Sequence, residues 1–197
     1  LQNKGYDNSY IKNFMKKQEA IAMNEVYENM LTRRSIRKYQ AKQVPENVIA
    51  RILEAGSYAA NGKGQQEVIM IAITKKEIRD KLAADNCKIG GWDEGFDPFY
   101  GALDLIVVLG NKNHTTRVYD GSCVMENLML AAHQEGIGSC WIHRAKEEFE
   151  MPQWKEWLRS LGVEGEYEGI GHCILGYAEG EEPVPAPRKE HRIYWVQ

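Results

Sequence analysis

Residues 120–136 read DGSCVMENLMLAAHQEG. Asp120 suits the cap of a helix, and behind it Cys123, Val124, Met125, Leu128, Met129, Leu130, Ala131 and Ala132 leave little polar face. A helix that is apolar almost all round must be covered on all sides. It is therefore either the central helix of a core or one shared with a second subunit. The flanks say what it packs against. Upstream, LDLIVVLG at 103–110 is a continuous apolar run of buried-strand length. Downstream come the short run SCWIH at 139–143 and an amphipathic stretch in which Trp154, Trp157, Leu158 and Leu161 recur at helical spacing. GIGHCILGYAEG at 169–180 then predicts a further strand.

Further out, EVIMIAIT at 67–74 is a strand-length apolar run. Thr74 with Glu77 makes a capping-box pattern into TKKEIRDKLAAD, so this junction reads as strand to helix. In VPENVIARILEAG at 44–56, Pro45 suits the first helical turn, Val48, Ile49, Ile52 and Leu53 form one face, and Gly56 ends or weakens the helix. NGKGQQ at 61–66 predicts a loop. MNEVYENMLTRR pairs Val26 with Met30 and Tyr27 with Leu31 at i,i+4 spacing, so the domain proper begins at Met23. Residues 1–22 are a polar extension, read equally as a short added helix, a loose tail or residues foreign to the domain. Strands and helices intermingle along a single domain, 23–197, whose class is α/β or α+β around a covered sheet.

The chain ends in EEPVPAPRKEHRIYWVQ. Pro183, Pro185 and Pro187 hold this arm, 182–197, extended, and its apolar end at Ile193–Val196 must dock somewhere.

Composition sets limits. The 197 residues are 43% hydrophobic and 27% charged, which excludes a disordered or collagen-like chain. A net charge of −3 supplies no overall pull toward nucleic acid or anionic lipid. No run approaches the roughly 18 apolar residues of a membrane span and the first residues lack a signal-peptide core, so the expectation is a cytoplasmic protein. Cys87, Cys123, Cys140 and Cys173 form no CxxC pair and read as mostly buried thiols.

The densest positive cluster is Arg33, Arg34, Arg37 and Lys38, with Ser35 among them. Guanidinium forks beside a hydroxyl are what a phosphate monoester needs, whereas a solvated basic helix end, favoured by the helix dipole, accounts for the same residues more simply. GKGQQE, GIGSCW and GIGHCI lack the third glycine of GxGxxG, and none carries a P-loop ending. A phosphate ligand would thus be gripped by side chains. The five histidines form no HxH or HExxH pattern and no GxSxG elbow is present, so no metal site and no nucleophile is expected. Trp92, Phe96, Phe99 and Tyr100 sit in a loop, where a lid or ligand-stacking role competes with core filling.

TRRSIRKY, the AANGKGQQ loop, DGSCVMENLMLAAHQEGIGSCW, IHRAKE and GIGHCILGYAEG with its PxPRK tail together resemble the nitroreductase family of FMN-dependent oxidoreductases, over roughly Met23 to Val196. The resemblance implies a three-layer α/β/α sandwich around a mixed, mainly antiparallel sheet. It also implies a homodimer with FMN at the interface, the apolar helix in that interface and the tail crossing to the other subunit. Arg33, Arg34, Ser35 and Arg37 would hold the phosphate and ribityl chain, with Arg188 as a later phosphate ligand. The loop carrying Asn61, Gly64 and Gln66 would reach the flavin across the interface. Relatives read PSxxNxQP there, and this chain departs from them at Ala60, Asn61, Gly64 and Glu67 while keeping Gln66. Ile142, His143 and Arg144 would lie over the flavin and offer backbone N–H to its N5 edge. No side chain is implied as catalytic, because flavin N5 carries the hydride. The implied activity is ping-pong transfer from NADH or NADPH to a nitroaromatic, quinone or similar acceptor. Reductive dehalogenation or flavin fragmentation on the same fold, and an FMN storage or sensor protein without turnover, are the alternatives.

Overall fold

The structure is a computed structural model that describes residues 24–196, and these fall into two compact units dividing after Arg33. In the first unit, Asn24 caps helix α1, Glu25–Thr32, its side chain accepting the Tyr27 N–H at 3.0 Å. The expectation for residues 1–22 lies outside the described residues.

The second unit runs α2 (Glu46–Ser57), β1 (Val68–Ile73), α3 (Lys76–Gly90), β2 (Asp104–Asn111), α4 (Arg117–Gln134), β3 (Gly138–Ile142), α5 (Ala145–Glu148), α6 (Pro152–Ser160) and β4 (Tyr167–Gly176). The strands form one sheet in the order β1-β2-β4-β3, every neighbouring pair antiparallel. The parallel element is a single bridge, Ser35 to Ser139, on the outer edge of β3. The four-stranded sheet is thus antiparallel throughout its strands, with the Ser35 bridge as a parallel contact at its edge.

Side-chain alternation along β2 builds the layers. Leu105, Val107 and Leu109 pack with Leu82, Phe99, Phe149 and Trp154 on one face. Ile106 and Val108 pack with Ile52, Met125, Leu128 and Ala132 on the other. Both faces are therefore covered by helices, as the sequence pattern predicts, in the three-layer α/β/α arrangement that the family resemblance implies. The β2–β4 register slips by one residue, since Val108 opposes Gly171 while Leu109 opposes Gly169. Ile170 is the extra residue of this bulge and packs beside Val124 and Met125.

Two local readings need correction. Asp120 does not cap α4, which begins three residues earlier at Arg117; it lies buried in the first turn and accepts hydrogen bonds from Gly62 of the preceding loop and from Thr116, the residue that does stand at the N-cap. Thr74 does not cap α3, whose N-cap is Lys75 without a side-chain bond; the Thr74 carbonyl accepts the Gln43 amide at 2.9 Å instead. Gly56 stands one residue before the end of α2 at Ser57, and it is buried there, where an added Cβ would come within 2.7 Å of Leu128 on α4, so the glycine serves helix–helix approach as well as the helix end.

α4 buries Val124, Met125, Leu128, Met129 and Ala132, yet leaves Val118, Tyr119 and Cys123 exposed on its outer side. The other three cysteines are buried. Among the described residues, no helix is long and apolar enough to cross a membrane.

Candidate functional site

Ser35 bridges Ser139, and the Ile36 N–H donates to the Ser139 carbonyl at 2.9 Å. The basic run therefore meets the free edge of β3 at Ser139 and then leaves it, since the Lys38 carbonyl accepts the Glu179 N–H and the Gln40 N–H donates to the Tyr177 carbonyl past the end of β4. Two glycines make room for it. A Cβ at Gly138 would meet Ile36 at 2.9 Å, and one at Gly176 would meet the Tyr39 ring at 2.8 Å. Tyr39 then donates its hydroxyl to the Ile36 carbonyl at 2.8 Å, and burial pushes its phenol far above the ordinary range. Arg34 and Ser35 are half-buried and Arg37 is exposed. Arg33, the C-cap of α1, closes the first unit.

Ile142 ends β3 three residues beyond Ser139, about 10 Å at the usual strand rise. Past it the chain turns sharply: His143 is exposed and Arg144 adopts φ 80 before α5 begins. Arg144 pairs with Glu147 at 3.0 Å. Burial alone would raise the Glu147 carboxyl, but its own backbone N–H and the Arg144 guanidinium outweigh that and hold it below the ordinary value. One edge strand thus joins a cationic, hydroxyl-bearing segment to a turn of exposed backbone.

The loop with Asn61, Gly64 and Gln66 is elsewhere. It precedes β1, the opposite edge of the sheet, three strand spacings or about 14 Å from β3. Asn61 turns inward on the loop, its Oδ1 accepting the Gln66 N–H at 3.0 Å. Gly64 (φ 67) and Gln66 (φ 56) are exposed. The Asp120 carboxylate anchors the loop through the Gly62 N–H at 3.0 Å and also accepts the Thr116 hydroxyl at 2.8 Å. Arg188 lies in the exposed C-terminal arm, where Val184, Ile193, Tyr194, Trp195 and Val196 are all more than half exposed. A single chain therefore sets Ser35, between Arg34 and Arg37 in sequence, on the strand that leads to Ile142, His143 and Arg144, and leaves Asn61, Gly64 and Gln66 on a loop before the opposite edge.

The aromatic loop after α3 divides its roles. Phe99 is fully buried beneath the sheet, while Trp92 and Phe96 stand 45% and 41% exposed with ring centroids 5.3 Å apart. Sequence reasoning missed Gly138, Gly176, Asp120 and, behind the turn, Asn86, Glu148 and His172. Only the glycines left a readable signal, in GIGSC and LGY.

The nitroreductase family model matches residues 30–89 and 92–177, and the chain belongs to that family. Two relatives share the name "Putative NADH dehydrogenase/NAD(P)H nitroreductase". The one from Archaeoglobus fulgidus is 29% identical over 187 residues, 88% of this chain and 100% of that protein. The one from Methanothermobacter thermautotrophicus is 28% identical over 130 residues, 61% of this chain and 62% of that protein, so that match spans under two thirds of its length. The crystal structure of a nitroreductase with bound FMN from Bacteroides fragilis superposes with a TM-score of 0.81 at 29% identity, covering 89% of this chain and 100% of that one.

Proposed function

We propose that this protein is an FMN-dependent oxidoreductase that works as a homodimer. The observation that carries the reading is the Ser35–Ser139 bridge, which sets cations and a hydroxyl about 10 Å along one strand from the 142–144 turn. That donor set fits a flavin mononucleotide. Arg33, Arg34 and Arg37 supply charge-assisted donors for a phosphate, Ser35 a neutral one, and the backbone of His143 and Arg144 lies where an isoalloxazine edge would reach. Bound FMN supplies hydride chemistry at N5, from NADH or NADPH to a nitroaromatic, quinone or similar acceptor in a ping-pong cycle.

The chain itself binds, orients and excludes. The cationic run fixes the phosphate end, and the turn after β3 sets the face open to hydride donor and acceptor. Completion by a second subunit is supported by three features: the remote loop carrying Gln66, the exposed apolar side of α4 at Val118 and Tyr119, and an apolar arm exposed on its own chain. The arm brings Arg188 as a further phosphate ligand.

Purified protein should be yellow, carry about one FMN per chain, and lose its visible absorbance on anaerobic mixing with NADH or NADPH within turnover times. Colourless protein that takes up no FMN would overturn the reading. Flavin that stays oxidised under those conditions would replace it with storage or sensing.

A further inference from the structure

Asn86, on α3, is fully buried, and its side-chain Nδ2 donates to the His143 carbonyl at 2.8 Å. That carbonyl lies just past the end of β3, where no strand partner takes it. A trans peptide is planar, with its C=O and the following N–H pointing in opposite directions. Drawing the His143 carbonyl inward onto α3 therefore turns the Arg144 N–H outward. Among the described residues, no backbone hydrogen bond of the chain occupies that N–H.

The far end of the same turn is fixed just as firmly. Glu148, the last residue of α5, hydrogen-bonds His172 of β4, and both are fully buried. The rings of Phe99 and Phe149 lie 5.3 and 6.4 Å from the His172 ring. Between these anchors, Gly169 lies flush against α5, where an added Cβ would fall 2.1 Å from the Ala145 carbonyl oxygen. Removing an amide, a carboxylate and an imidazole from water is unfavourable, and apolar residues would fill the same space without that penalty. What the polar groups add is a defined orientation of one peptide.

We propose that Asn86 is a positioning residue, which through the His143 carbonyl aims the Arg144 N–H at the reactive edge of the flavin. This rests on the FMN reading above. Asn86 touches neither cofactor nor substrate, so its loss should affect hydride transfer more than cofactor retention. In Asn86→Leu, of similar volume but without a donor, the rate of flavin reduction by NADH or NADPH should fall about tenfold or more. FMN affinity should stay within about threefold, because Arg33–Arg37 lie outside the change.

Amide hydrogen exchange on the flavin-free protein supplies the independent readout: Glu148 and Phe149, whose N–H groups donate to the Arg144 and Ala145 carbonyls at 3.0 Å, should exchange faster in the variant while β2 and β4 stay unchanged. Should Asn86→Leu fail to fold, Asn86→Asp keeps the shape. Protonated, it can donate to the carbonyl; ionised, it cannot, so exchange at Glu148 and Phe149 should climb with pH more steeply than in wild type. Unchanged reduction rate, or a loss of rate that merely follows loss of FMN and of global stability, would overturn the proposal. Failure of the wild type to bind FMN would overturn the functional reading instead, and the exchange experiment would still decide whether Asn86 fixes the turn.

Discussion

The carboxylate of Asp120, one turn into α4, holds the backbone N–H of Gly62 at 3.0 Å, so a helix on one layer fixes a loop that leads into the sheet's far edge. Among the described residues this is the loop's side-chain tie to the body, since Asn61 bonds within the loop, to the Gln66 N–H and the Ala59 carbonyl. In Asp120→Ala the segment 61–66 should open, and trypsin should cut after the exposed Lys63 several times faster than in wild type. Asp120→Asn keeps an acceptor and should behave nearly as wild type. Equal cleavage of all three proteins would show that the anchor is dispensable.

Gly169 offers a sharper test of packing. A methyl group there meets the Ala145 carbonyl oxygen at 2.1 Å and the Lys146 nitrogen at 2.7 Å, both backbone. Gly169→Ala should destabilise the protein by about 3 kcal/mol or more, read from the urea midpoint. A change below about 1 kcal/mol would mean that α5 shifts freely on the sheet.

Asp104 gives a pH dependence with a definite sign. Burial raises its pKa above the ordinary 3.8, against the Val44 N–H at 2.7 Å and the Gln43 amide, which favour the charged form. A carboxyl whose folded pKa lies above its unfolded one binds more protons when folded. Its favourable contribution is complete below the unfolded value and is lost as pH rises through the folded one. Asp104→Asn removes this loss, so its stability relative to wild type should grow as pH climbs past 3.8 and then level off. Parallel stability curves would refute the assignment.

For the cofactor, Arg33→Ala with Arg37→Ala should release FMN from a folded protein. Each charge-assisted contact is worth roughly 1.5 to 3 kcal/mol, so affinity should fall about a hundredfold or more. A double variant that keeps its flavin would remove the basic run from the site.

Deleting residues 182–197 tests the arm. If it crosses to a second subunit, dimer and flavin content should decline together in sedimentation and absorbance on one sample. Full flavin content in an intact dimer would show that the arm contributes to neither.

Most of the architecture was legible in hydrophobic period alone. Runs such as LDLIVVLG and EVIMIAIT have the length and apolar content of strands, and the two clusters meeting across β2 follow from the first being buried on both faces, while β1 at the edge is only half-buried. The start of α4 was misplaced because Asp120 carries the residue type of a cap while its oxygens are spent on Gly62, far off in sequence, and on Thr116, the residue at the actual cap. The basic run and the 142–144 turn were found as motifs, but their alignment along one strand was invisible, since a single bridge leaves no periodicity. Asn86, Glu148 and His172 could not be picked out for a related reason. Each lies in a helix or strand whose pattern is set by its apolar neighbours, and a polar residue there announces burial only once its partner is known.

The Ser35–Ser139 bridge has a bearing on solubility. β3 is an edge strand, and an uncovered edge offers unpaired N–H and C=O groups to any other chain seeking a sheet to join. The segment that lies on it brings Arg34, Arg37 and Lys38, charges that repel a second copy approaching in the same way. The residues proposed to grip a phosphate would thus also guard the sheet against edge-to-edge aggregation, and neutralising them would expose the protein to self-association whether or not a cofactor is present.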